Sequence, residues 1–428
     1  MPRKEMLLSQ GKHGQSTSQK EVLLILLLGV LIREAFSFWT GHPSDFELWV
    51  RLGYAFTHGG DPYGILPPVP GLSFSSTFSE QNTATIAYLP FWPLVTGLMY
   101  ATYSLIGFGN RFAYYFLLKQ PVIAGDVGLA YLLYSYVSAK QPRRSSWVLM
   151  FWLLSPFMII ISGIWGMFDS IAMAFVMISV MSTSRAKSAL CTGLAIFAKS
   201  VPIIYAVPIA MKRERDLVWS ALAIGLVVLF SAIVFQVMRW PFPSFGSSLV
   251  SAAGRGGESM SVWDSLFYFT NLGFLQPSTA PDFYRLLGFV WIPLVGGFTL
   301  VAFKRFRFDT DYGIVQSLLV VTLVFLIFRA RVTEQYAIYL FALSAIDVAV
   351  WNPKRKKTLL LMMAVALIYL ISNNYFLIRF LSPINPNFLQ IESALSQSIG
   401  PIRYALNFLA GTLFTLLNVW YLVAILRR

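Results

Sequence analysis

Two carboxylates stand two residues apart, Asp45 and Glu47, in the stretch PSDFELWVRLGYAFTHGGDPY (43–63), and Arg51 follows four residues after Glu47. At that spacing they face apart on a helix but can share one site on an irregular turn. A carboxylate so placed can act as a general base, accepting a proton from a hydroxyl as the hydroxyl attacks. The competing use of Asp45, with Ser44, is to cap a helix beginning near Phe46. No His-x-x-x-His spacing, Walker-type loop or helix-opening GxGxxG occurs in the chain, so no metal site and no cofactor is expected. Asp61, in HGGDPYG, is accounted for as a turn former, since Asp before Pro opens turns and Gly59-Gly60 ends a helix. His42 and His58 flank the loop without spaced partners.

Cationic and acidic residues interrupt apolar runs at four further places. Asp169, in SGIWGMFDS, begins a helix that its charge would favour, or faces a cavity and binds sugar hydroxyls or a cation. Lys199 lies at bilayer depth, where an uncompensated charge is costly and lysines mark pathways or ligands; its two readings are a lipid-phosphate ligand and a snorkelling side chain. Arg329 and Arg331, in FRARVTEQY, are guanidinium groups suited to grip phosphate oxygens in pairs, with Glu334 beside them. Lys119 and Asp126, seven apart in one apolar run, read as an internal charge pair. The candidate set is therefore Asp45 as the catalytic residue, with Glu47, Arg51, Asp169, Lys199, Arg329, Arg331 and Glu334 as substrate-binding residues.

The elements that must position these residues are membrane helices. Hydrophobic residues are 57% of the 428 and charged residues 12%, about half the charge fraction of a soluble chain. Apolar runs of roughly 16 to 25 residues suffice to cross a hydrocarbon core of about 30 Å, and in hydrocarbon such runs must be helical. The first run (21–38) follows a basic N-terminus without a small-residue cleavage site, and reads as a retained span rather than a signal peptide. Arg33-Glu34 interrupts it, the two charges offsetting each other or facing a polar cavity. The net charge of +14 sits in short clusters between the runs, the pattern of positive-inside loops rather than of nucleic-acid binding. One cysteine, Cys191, excludes an intrachain disulfide.

Placing the basic clusters on the inner side makes most intervals hold an even number of crossings. The run 188–211, broken at Lys199-Ser-Val-Pro202, predicts two short helices meeting near Lys199. The run 84–107, with Pro90 and Pro93, predicts a segment lying along or dipping into the outer surface, the alternative being a full crossing followed by a hairpin within 111–140 that breaks near Gly125-Asp126. The fold class is all-α, a polytopic integral membrane protein with about 11–13 membrane helices. An N-terminal cytoplasmic tail (1–20) precedes a membrane module with the first outer loop (21–216). A second module (217–428) carries an outer loop (239–285), whose part 258–269 reads as an amphipathic lid.

With those residues placed, the chain resembles the GT-C superfamily of multi-spanning glycosyltransferases, in particular its prokaryotic mannosyltransferase-like branch. The likeness lies in DFELWVRLGYAFTHGGDPY, in AYLPFWPL (87–94), in SPFMIIISGIWGMFDS and in GLAIFAKSVPIIYAVP, in the expected order over the first half; RVTEQY is a loose counterpart of a later charged motif. Leu89 and Met167 depart from the branch's usual Pro and Gln. The resemblance implies a GT-C-like fold with outer-face juxtamembrane helices in the cell membrane. It also implies inverting transfer of a hexose, mannose in that branch, from a polyprenyl-phosphate-linked sugar donor to a glycan or glycolipid acceptor on the extracytoplasmic face. Asp45 would be the base, with Lys199 and Arg329 or Arg331 holding the phosphate. The expected partners are those substrates and membrane lipids, not nucleic acid.

Overall fold

The structure, a computed structural model, describes residues 19–75, 86–212, 216–253, 259–263, 268 and 280–427. The N-terminal tail to residue 18 and half of the expected lid at 258–269 (258, 264–267 and 269) lie outside the described residues. Among those described there is helix and no strand. In chain order the helices are α1 (Gln19–Ser37), α2 (Asp45–Thr57), α3 (Phe91–Ile106), α4 (Arg111–Ser138), α5 (Pro142–Leu153), α6 (Pro156–Trp165), α7 (Asp169–Met181), α8 (Arg185–Ala198), α9 (Ile203–Lys212), α10 (Leu217–Met238), α11 (Phe242–Ala253), α12 (Ala280–Arg305), α13 (Asp311–Phe328), α14 (Ala337–Val350), α15 (Lys356–Asn373) and α16 (Asn387–Leu426).

Local chemistry fixes the helix starts. The side chains of Asn110, Ser184, Asp216 and Thr310 each accept a hydrogen bond from an amide of the first turn of α4, α8, α10 and α13, satisfying donors that have no intrahelical partner. Burial then sorts the helices. α13 buries 83% of its most apolar window and α10 only 11%, so α13 is central while α10 turns Val218, Leu222, Ile224, Val228 and Ile233 outward. A bare apolar surface of that extent is stable only against lipid.

By length and composition, six helices among the described residues are able to cross a membrane, or seven if bent α5 and α6 count as one span. Of the remaining segments of the expected 11–13, α1 has 19 residues and the others are shorter. α7 has 13 residues and α9 has 10, which at 1.5 Å per residue reach about 20 and 15 Å. The shortening is concentrated at one end of the bundle. There α6 ends at Gly166, with φ +90°, after a π-helical stretch Ile160–Trp165. α8 ends at Lys199 and α9 restarts at Ile203, so the expected break near Lys199 is present. α13 stops at Phe328 and α14 resumes at Ala337. Polar chain ends thus gather around Asp45.

Two expected pairings are corrected. Lys119 and Asp126 do not pair, because seven residues separate them by about 10 Å along α4. Arg33 turns inward instead, its Nε donating to Asp126 Oδ2 at 2.7 Å, and Glu34 accepts from Gln120 rather than offsetting Arg33. The Lys119 ammonium donates to the Thr40 carbonyl and hydroxyl and to the carbonyls of Gly163 and Ile164, at 2.7 to 3.0 Å. It ties the loop before α2 to the unwound end of α6.

Candidate active site

The loop before α2 makes a close turn onto the helix it precedes. A Cβ at Gly41 would lie 2.3 Å from the Phe46 ring, so only glycine permits this approach. The Gly41 amide donates to the Phe380 carbonyl at 3.0 Å. Ser44, at the N-cap, makes no side-chain capping bond, and Asp45 does not cap either. The Nδ1 of His42 takes the amides of Ser44 and Asp45, both at 3.2 Å, while the His42 carbonyl accepts from Phe46.

The Asp45 carboxylate has partners outside its own helix. Its Oδ2 accepts the Trp165 indole N–H at 3.0 Å and lies 3.7 Å from His42 Nδ1. Its Oδ1 takes no donor from the described residues, and the side chain remains one-third exposed, at 33%. Burial among these rings raises the Asp45 pKa, while the Trp165 bond and then the charges of Arg331, Lys199 and Arg379 draw it back down. His42 stacks on Trp165, with centroids 4.7 Å apart, and meets Phe380 on another side. Burial, reinforced by Arg379 and Arg331, holds the His42 pKa well below its ordinary value, so the ring is neutral.

Lys199 is buried and pairs with Asp169 Oδ2 at 2.5 Å. The ammonium stands over the rings of Phe168, Tyr336 and Tyr88 at 5.0 to 5.4 Å, an aromatic enclosure that supports a desolvated cation. Tyr336 is shared with Arg329, whose guanidinium lies 4.7 Å from its centroid. Arg331 is exposed, and among the described residues no carboxylate lies within ion-pair distance of it. Lys199 and Arg331, selected from distant parts of the sequence, therefore both act electrostatically on the sequence-selected Asp45, while Asp169 pairs with Lys199 and Arg329 shares Tyr336 with it.

Three other candidates sit elsewhere. Glu47 and Arg51 are buried and paired, Arg51 Nε to Glu47 Oε1 at 2.6 Å. Glu47 also accepts the Phe74 amide, and Arg51 donates to the carbonyls of Leu66 and Ser75. The pair clamps the 64–75 loop onto α2 rather than facing Asp45's open side. Glu334 is buried and accepts from the side-chain amides of Asn373 and Asn374, which anchors the end of α15. The sequence reading missed His42, Trp165 and Arg379. Arg379 carried the same signal as Arg329 and Arg331, an arginine at the far end of an apolar run. It lies on a 3-10 strap (Tyr375–Leu381) and pairs with Glu392 of α16. Among the described residues no group of three or more His, Cys, Asp or Glu is arranged to hold a metal. A cavity of about 430 Å³ lies at the other end of α7, lined by Lys140, Lys212, Asp311 and neighbours, far from Asp45.

No family model matches the sequence, and no curated protein matches it. Among solved structures the chain is similar to ArnT from Cupriavidus metallidurans bound to undecaprenyl phosphate, with a TM-score of 0.50 and 14% identity, over 94% of this chain and 77% of that one. At that identity the likeness is one of fold, a GT-C-like arrangement of membrane helices.

Proposed function

We propose that the chain is a membrane glycosyltransferase that moves a hexose from a polyprenyl-phosphate-linked donor to a glycan or glycolipid acceptor, with Asp45 as general base. The sugar we favour is mannose, on the motif resemblance of the first half of the chain. One observation carries the reading: a part-exposed carboxylate, with one oxygen unengaged by the described residues, stands within electrostatic reach of Lys199, Arg331 and Arg379 on a GT-C-like fold. ArnT, the structural neighbour, was solved with undecaprenyl phosphate bound, which supports a lipid-phosphate donor here.

The chemistry follows from the arrangement. The acceptor hydroxyl gives its proton to Asp45 as its oxygen attacks the anomeric carbon, inverting it, and the bond to the donor phosphate breaks with its electrons remaining on phosphate. A phosphate leaving group needs little acid help, so one base and fixed cations suffice. Arg331, exposed and without a carboxylate partner among the described residues, is the group best placed to meet that phosphate. Lys199 contributes its remaining N–H donors, since Asp169 engages one. Asp169 and the rings keep the ammonium in place, and Glu47–Arg51 and Glu334 act by holding loop and strap. The basic clusters at the ends of α5, α8, α12 and α15 opposite Asp45 favour an extracytoplasmic site.

The test is incubation of the purified protein in lipid vesicles with radiolabelled polyprenyl-phosphate mannose and candidate acceptors. Labelled product formed by the wild type and not by Asp45→Asn is the expected result. Equal product from both rules out Asp45 as the base.

A further inference from the structure

We propose that His42 is the positioning residue for Asp45, holding the helix start beneath it and the indole beside it through one neutral ring. The inference rests on the reading of Asp45 as base.

A helix start leaves amides without intrahelical partners, and short acidic side chains are the usual acceptors for them. An aspartate so employed has an oxygen engaged by backbone and is a poor proton acceptor. In α2 the Nδ1 of His42 accepts both the Ser44 and Asp45 amides, and the carbonyl of the same residue takes the Phe46 amide. Asp45 itself makes no capping bond and sits in the first turn, where the helix dipole favours its charge. The opposite face of the arrangement is fixed by stacking. The His42 ring lies nearly parallel to Trp165, with an interplanar angle of 16°, and Trp165 Nε1 is the donor to Asp45. Phe380 packs against both rings at 5.6 Å, so the imidazole cannot swing aside.

The tautomer follows. With Nδ1 accepting two amides, the proton of a neutral ring must be on Nε2. A proton on Nδ1 would face two N–H groups and undo the cap. His42 is one of only three histidines in the chain, so ring nitrogens can be assigned individually by selective ¹⁵N-histidine labelling of the full chain in lipid nanodiscs, using His42→Asn as the reference that removes its signal. The expected result is an unprotonated Nδ1 and a protonated Nε2 on His42. A proton on Nδ1 overturns the proposal whatever the activity.

Kinetics give the second arm. His42→Phe keeps a ring to stack on Trp165 but offers no acceptor, and His42→Asn offers a short capping acceptor. His42→Phe should lower kcat about 100-fold, the cost of displacing a reacting group by about 1 Å, with KM for the lipid donor unchanged. His42→Asn should recover most of that loss. If His42→Phe turns over like the wild type while Asp45→Asn is inactive, the positioning role falls and the base assignment stands. If Asp45→Asn is itself active, the base assignment falls, and the nitrogen assignment alone decides whether His42 caps the helix.

Discussion

Asp126, Asp347 and Asp45 all sit within this bundle, yet only Asp45 has spare capacity. Asp126 receives Trp152 and Ser170 on Oδ1 and Arg33 and Ser162 on Oδ2. Asp347, at the opposite end of the molecule, receives Gln316 and Asn352 on Oδ1 and Arg355 and Tyr421 on Oδ2. Their side chains are 1% and 0% exposed. Asp45 has one indole donor among the described residues, and its side chain is 33% exposed. A carboxylate with every lone pair engaged joins helices. One with an unengaged oxygen near mobile solvent and fixed cations can take a proton. The difference lies in the number of donors, not in the presence of buried charge, and it separates a girder from a reactive group.

The largest effect expected from this contrast is at Asp45 itself. Asp45→Asn should lower transfer by about 10² to 10⁴-fold, the range for loss of a general base, while thermal unfolding in detergent stays at the wild-type temperature. A fall in unfolding temperature without loss of turnover would place Asp45 with the girders.

At the other end the signs reverse. Arg355→Met leaves Asp347 charged and buried without its cation, and breaking such a pair costs about 3–5 kcal/mol. Denaturant unfolding should show that loss, while turnover per folded molecule remains near normal. An unchanged unfolding curve would mean that the Asp347 cluster is not what joins α13, α14 and α16.

Arg331→Met should produce a smaller, pH-dependent change. Asp45 works ionised, so activity rises as pH increases through its pKa, which burial places above 3.8. Arg331, with Lys199, Arg379 and the Trp165 N–H, lowers that pKa; removing Arg331 therefore moves the acid limb to higher pH. Burial, with Arg379 and Arg331, holds the His42 pKa well below 6.5, so His42 is neutral at neutral pH. KM for the donor should rise about tenfold, as for one lost charge-assisted contact of about 1.5 kcal/mol or more. A limb that stays in place would show Arg331 too distant to act on Asp45.

What the sequence disclosed, and what it hid, follows the same division. Helix class, the break at Lys199 and the cationic turn at Arg329 and Arg331 were readable because apolar runs and their interruptions are local. The partner of Arg33 was not, because Asp126 lies 93 residues away and nothing in either neighbourhood names the other. Arg355 lies in the basic stretch 354–357, yet of those four residues it alone is buried, and it turns inward to Asp347. His42 looked idle for want of a spaced partner. Its partners are two amides and a stacked ring, and amides carry no signal in a sequence.

The strap that carries Arg379 permits the finest test. Tyr375, Phe376 and Leu377 have φ of +48°, +55° and +69°, a left-handed run that costs L-residues about 1–2 kcal/mol each. Around Asp126 and Asp347 the described backbone holds no such non-glycine residue. The strap is held down by Tyr375 to Ser396, Arg379 to Glu392, and Asn374 to Glu334, so side chains at the Asp45 end maintain a conformation the backbone disfavours. Phe376 is 53% exposed and loses little packing on truncation. Phe376→Gly should therefore raise stability, by about 0.5–1 kcal/mol after the extra entropy of glycine in the unfolded chain is subtracted. The gain is small because two strained neighbours remain. Destabilisation instead would mean that the Phe376 ring contributes more than its backbone costs, and the Asp45 end would then differ from the Asp347 end in donor number alone.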